Sequence, residues 1–214
     1  MRKISRRYAG FAIAGLLAVG ALGSAAGAEG SGVRYRAALA PVPHDPDADN
    51  GSNATGGAQL SRVDGRLTVN LRASGLTPAL PHAMHIHGDL KARNECPPSS
   101  ADINDEVTST APGTPDGLVS LGEGDPFYGP VQVSFTESGD TSAASALALD
   151  RFPVADEDGR VSYQRSLTIS NQVAAKLGKL HIVVHGHDLD GDRAYSNLQE
   201  ATLPVACGVI QQSP

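Results

Sequence analysis

Residues 81–96, PHAMHIHGDLKARNEC, hold three histidines within six positions and a cysteine nine residues after the last, in a chain with seven histidines and two cysteines. A second group, HIVVHGH, supplies His181, His185 and His187. On a strand, alternate residues point to one face, so His85 and His87 present two imidazoles together, and a histidine from another strand completes a metal site. Copper and zinc both accept such ligands. One such pair alone reads more simply as surface or hydrogen-bonded core histidines; two groups put a metal site on an equal footing with that reading. A third cluster, DLDGDRAYSNLQE, sets Asp188, Asp190 and Asp192 at alternating positions, as in a calcium loop. Arg193 stands where that loop needs glycine and Gln199 where it needs glutamate, with Glu200 one place late. A solvated acidic turn is the simpler reading.

The elements that must position these residues read as strands. VRYRAALAPV (33–42) alternates apolar and other side chains, and AQLSRV and RLTVNLR flank Asp64-Gly65, a two-residue hairpin signal, with Leu67, Val69 and Leu71 on one face. Residues 43–57, polar, acidic and Gly-rich, read as a long loop. AMHIHG is the strand of the first histidine pair. Residues 89–130 read mainly as a long irregular loop, which Cys96 would tie down. Strands follow at VQVSFT, ALALDRF, RVSYQRSLTI, KLHIVVHG and PVACGVI, with a short helical turn at NQVAAKLG. Seven or eight short strands without a long helical pattern predict an all-β sandwich or Greek-key barrel.

The first 28 residues have a basic start, an apolar run from Ala9 to Leu22 and a small-residue site at Ala26-Gly27-Ala28, the pattern of a cleaved export signal. The expectation is a secreted domain over 29–214, with no membrane span in its mature form. Removing the leader's four basic residues from 17 Lys and Arg, against 23 Asp and Glu, leaves a charge of −10, which disfavours a nucleic-acid partner. In an oxidising compartment Cys96 and Cys207 are expected to pair, the alternative being two free thiols. Nucleophile-elbow, phosphate-loop and dinucleotide motifs do not occur.

GLTPALPHAMHIHGD with Cys96, HIVVHG, and ACGVI together resemble the copper,zinc superoxide dismutases in order and internal spacing. The central stretches FYGPVQVSFTESGDTS and LDRFPVADEDGRVSYQRSL are more similar to exported bacterial relatives grouped with chordin-type (CHRD) domains. The resemblance implies a Greek-key barrel of about eight antiparallel strands with long loops and one disulfide, Cys96–Cys207. It implies copper ligands at His85, His87 and His185, with His82 structural. It also implies that one of Asp188, Asp190 and Asp192 is a hydrogen-bond partner of a ligand histidine. By alternation His187 shares a strand face with His185 and is a candidate fourth ligand or proton donor, with an exposed loop-entry histidine the simpler reading, and His181 is a core or edge residue. Superoxide would be the substrate of an enzyme of this kind, and a non-catalytic CHRD-type binding or structural module is the alternative. Two departures bear on activity. No histidine lies between His87 and His181, so the family's zinc site and bridging imidazole are absent, and Pro204 stands where the family has its guiding arginine.

Overall fold

The computed structural model describes residues 32–45, 51–91, 95–103 and 116–214. The leader at 1–28 lies outside them, as do residues 46–50 of the acidic loop and parts of the 89–130 segment.

Alternation of buried and exposed side chains builds the first half of the sheet. β1 (Val33–Pro41), β2 (Thr55–Val63), β3 (Arg66–Ser74) and β6 (Val161–Thr168) form an antiparallel ladder without a register shift. The expected hairpin is present: Val63 pairs with Arg66, and Asp64 adopts a φ of 50° in the turn. Leu67, Val69 and Leu71 are fully buried against Leu60, Tyr163 and Leu167. Each such side chain contributes roughly 1.5–3 kcal/mol of burial.

The second half consists of β5 (Val131–Ser134), β4 (Met84–His87), β7 (His181–His185) and β8 (Pro204–Val209), and β4 and β7 are buried at every position. The strand order is β5-β4-β7-β8-β1-β2-β3-β6, with the two-residue β9 (Gln211–Gln212) pairing with β1. The chain crosses between halves after β3, β5, β6 and β8, a Greek-key path, and the sheet curls into the expected all-β barrel. Its ladder is open between β5 and β6. Side chains bridge that seam: Phe135 stacks on Tyr163 at 5.4 Å, Tyr163 Oη donates to Thr136 O at 3.2 Å, and Arg165 donates to Thr136 O at 2.6 Å and to Gly139 O at 2.7 Å.

Several local expectations change. Thr55–Gly57, placed in the acidic loop, belong to β2, because the strands on either side supply hydrogen-bond partners to a segment with little preference of its own. ALALDRF forms no strand. Ala143–Ser145 and Leu149–Arg151 are 3₁₀ turns, held by Ser142 and Ser145 hydroxyls donating to Asp140 Oδ2 at 2.7 and 2.6 Å and by Arg151 donating to Ser138 O, Asp140 O and Ser145 Oγ. Short polar side chains close turns in competition with a strand ladder, and Leu147 is left 57% exposed. The 89–130 segment contains a helix, α1 (Leu121–Tyr128), started by a capping box in which Ser120 accepts from Glu123 N and Glu123 accepts from Ser120 N. The expected turn at 171–178 is α2 (Asn171–Lys176), and α3 (Leu198–Thr202) is capped by Asn197.

The disulfide Cys96–Cys207 forms, closing a separation of 111 residues. It ties Cys96 to β8, where Val42, Ala101, Val119, Tyr128, Val183 and Cys207 make a second small core on the outer face of the sheet. Among the described residues no helix is long and apolar enough to cross a membrane.

Candidate metal centre

The centre lies beneath that second core. His85 and His87 leave β4 on the face opposite Met84 and Ile86, which join the barrel interior. In the β4–β7 ladder His85 faces Val183 and His87 faces His181, so simple register leaves His185 one pleat beyond His85 and far from His87. Two irregularities change the aim of these side chains. Register shifts occur between Ile86 and His87 against β5 and between Val184 and His185 against β8, each at a histidine of the group. Bulges re-aim side chains in this way. The three rings converge, with centroids 5.2–5.3 Å apart, and one ring nitrogen of each lies within 4.8 Å of the others.

The hydrogen bonds determine which nitrogens face inward. His85 Nε2 donates to Ala146 O at 3.1 Å, His87 Nδ1 to Gly129 O at 2.8 Å, and His185 Nδ1 to Thr202 O at 2.8 Å. A carbonyl only accepts, so each of these nitrogens carries the proton of a neutral ring. The remaining nitrogens, His85 Nδ1, His87 Nε2 and His185 Nε2, bear lone pairs and point at one another. His87 Nε2 is 3.4 Å from His85 Nδ1 and 3.2 Å from His185 Nε2. Two ligands about 2.0–2.1 Å from one ion at near-tetrahedral angles stand about 3.3–3.4 Å apart, so this donor set fits a metal ion.

Electrostatics keep the rings neutral. Burial lowers the pKa of all three: His85 well below its ordinary value, with the neighbouring His185 and His87 adding to the effect, His87 to about 3 and His185 to about 4. None competes with a cation for its proton near neutrality.

Most of the cover comes from residues outside the histidine motifs. Tyr128, at the end of α1, is fully buried with its ring 4.8 Å from that of His87, and Phe152 meets His85 edge-on at 5.3 Å. Gly129, the C-cap of α1, has φ 73° and ψ −176°, a region kept almost wholly for glycine that costs other residues roughly 1–3 kcal/mol, and its carbonyl accepts the hydrogen bond from His87 Nδ1. A capping-box pattern, Ser120-x-x-Glu123, was the one signal for this helix, and Gly124 and Pro126 inside it masked the helical period. The carbonyls of Ala146 and Thr202 have no sequence signature.

His82 is not one of the three clustered histidines. Its ring spans the carbonyls of Thr77 and His185 at 3.0 Å each, and burial lowers its pKa against the pull of those carbonyls. His181 is buried in β7 and is not one of the three clustered histidines. His187 lies beyond the end of β7, its Nδ1 3.3 Å from Thr77 Oγ1, and is likewise outside the cluster. Between it and His185, Gly186 at φ 105° breaks the alternation, and a Cβ there would meet Tyr195 Oη at 2.1 Å.

The acidic turn differs from expectation in two ways. No hydrogen bond links Asp188, Asp190 or Asp192 to a clustered histidine; backbone carbonyls take that role. Glu200, one place late for a calcium loop, is buried under the turn, accepting from Leu189 N at 3.1 Å and Ser196 N at 2.6 Å. Asp188, Asp190 and Glu200 bring carboxylates within 4.8 Å of one another, and Asp192 is not in that group. Asp188 accepts from Gly191 N and Arg193 N, the bonds of a turn organised by its own backbone.

Comparison with family models and with curated proteins finds no match.

Proposed function

We propose that this chain is an exported, copper-binding protein of the superoxide dismutase-like kind, holding one ion through His85 Nδ1, His87 Nε2 and His185 Nε2. The observation that carries the reading is the convergence of three lone pairs, with every opposite nitrogen committed to a carbonyl. The disulfide supports export to an oxidising compartment. Three neutral imidazoles accommodate both Cu(II) and Cu(I), so copper would supply one-electron redox chemistry. The corresponding activity converts two superoxide ions and two protons to dioxygen and hydrogen peroxide. The protein's part is to fix ring orientation through Ala146, Gly129 and Thr202, to hold His185 from behind through His82, and to exclude bulk water with Tyr128 and Phe152.

Holding without turnover, as a CHRD-type binding module, is the second reading. It is favoured by burial of the three rings, each at most 4% exposed, and by Pro204 at the position where the resembled family has its guiding arginine.

The test is copper titration of the purified protein followed by electron paramagnetic resonance, repeated on His185→Ala. The expected result is one Cu(II) per chain with nitrogen couplings, lost in the variant. Absence of a specific signal in the wild type would overturn the reading. Superoxide decay faster with copper-loaded wild type than with His185→Ala selects turnover over holding.

A further inference from the structure

The acidic chain keeps one surface free of acid. β1, β2, β3 and β6 contain no Asp or Glu, yet their solvent face exposes Arg34, Arg36, Arg66 and Arg72. Among the described residues these four side chains make no hydrogen bond or ion pair. The ladder places Arg36, Gln59, Asn70 and Gln164 in one cross-strand row, and Ala38, Gly57, Arg72 and Ser162 in the next. Small side chains at Ala38 and Gly57 leave a shallow trough with Arg36 on one side, Arg72 on the other and the amides of Gln59 and Asn70 along it. Nearby carboxylates are engaged or peripheral: Asp156 accepts from Asp158 N and Arg160 N, Asp158 pairs with Arg160, and Asp64 sits in the hairpin turn beside Arg66.

We infer that this face binds an acidic polysaccharide bearing carboxylates. Guanidinium groups recognise carboxylates by paired hydrogen bonds, and amides and hydroxyls match sugar hydroxyls. The charge is distributed: Arg66 and Arg72 stand six residues apart on β3, about 20 Å, which suits an extended polyanion rather than one small anion. Nucleic acid is disfavoured because the face has no aromatic side chain on which a base could stack. A membrane surface is disfavoured because the face lacks an apolar ridge to insert. The inference is independent of the metal centre, which lies on the other half of the barrel.

The test measures binding of purified protein to polygalacturonate by affinity electrophoresis, with neutral dextran in parallel. Wild type, Arg36→Gln/Arg72→Gln and a control, Lys176→Gln/Lys179→Gln, are compared after circular dichroism confirms folding. Retention by polygalacturonate and not dextran, at least about tenfold weaker in the arginine variant, within about twofold of wild type in the control, and falling with salt, is the expected result. Arg34→Gln alone gives a smaller loss in the same direction. The inference is overturned by absence of wild-type retention on polygalacturonate, by equal retention of all three proteins, by equal weakening in the control, by equal retention on dextran, or by binding only to phosphatidylglycerol vesicles.

Discussion

The two halves of the barrel use the same kind of strand for different ends. In β1–β2–β3–β6 one face is buried, the other meets water, and the register runs unbroken. In β5–β4–β7–β8 both faces are largely buried, strands are four to six residues long, and the ladder slips at two histidines. The first half is built for regularity and the second for aim. An irregular ladder is tolerable there because Ala101, Val119, Tyr128 and the disulfide cover it, supplying from outside the order that the ladder lacks.

Substitutions can separate these roles. Cys96→Ser with Cys207→Ser should cost the most, up to about 4–5 kcal/mol in urea unfolding, since the closed loop is long, and should weaken the proposed copper binding as well. Unchanged unfolding would mean that the covering segment needs no tether. Leu71→Ala, in the regular half, should cost about 2–5 kcal/mol and leave copper affinity within about twofold, because its cavity opens on the interior away from the histidines. A parallel fall in affinity would show the halves to be coupled. Gly129→Ala should do the reverse: about 1–3 kcal/mol of stability from the positive φ, but a 10–100-fold loss of copper affinity as the carbonyl that orients His87 moves. Smallest is Thr68→Ala, which removes the 2.8 Å bond to Ser166 on the solvent face and should cost about 0.2–1 kcal/mol, read as a shift in the urea midpoint.

Acid should sharpen the contrast. The unfolded chain protonates its histidines near pH 6.5, whereas His185 and His87 in the folded protein resist until about 4 and 3. Between those values the unfolded state binds more protons, so metal-free stability is full above about pH 6.5 and falls as pH drops toward 3. The slope is up to about 1.4 kcal/mol per pH unit for each histidine. Urea midpoints measured from pH 7 to 4 should fall steeply in wild type and less in His185→Gln; identical slopes would remove these rings from the account.

What could be read in advance follows the same division. β1, the β2–β3 hairpin and β6 were legible because half-burial writes itself as alternation, and Asp64-Gly65 marks its own turn. The strands of His85, His87 and His185 were also legible, though nothing in their spacing reveals the register shifts beside these histidines, since a shift depends on partner strands. ALALDRF misled because alternation without a buried face looks the same as alternation with one. The orienting groups were hidden for a different reason: Ala146, Gly129 and Thr202 act through carbonyls, which every residue has, so only the path of the chain distinguishes them.

The open seam has a consequence for how the protein behaves in a crowd of its own copies. Unpaired strand edges are templates on which another chain can add, the first step toward aggregation. Here Arg165 and Tyr163 of β6 already occupy the Thr136 and Gly139 carbonyls that follow β5, and the guanidinium sets a charge where an invading strand would have to lie. The gap in the ladder is thereby guarded on its own terms, and a variant such as Arg165→Leu should stay folded when dilute yet precipitate as its concentration rises.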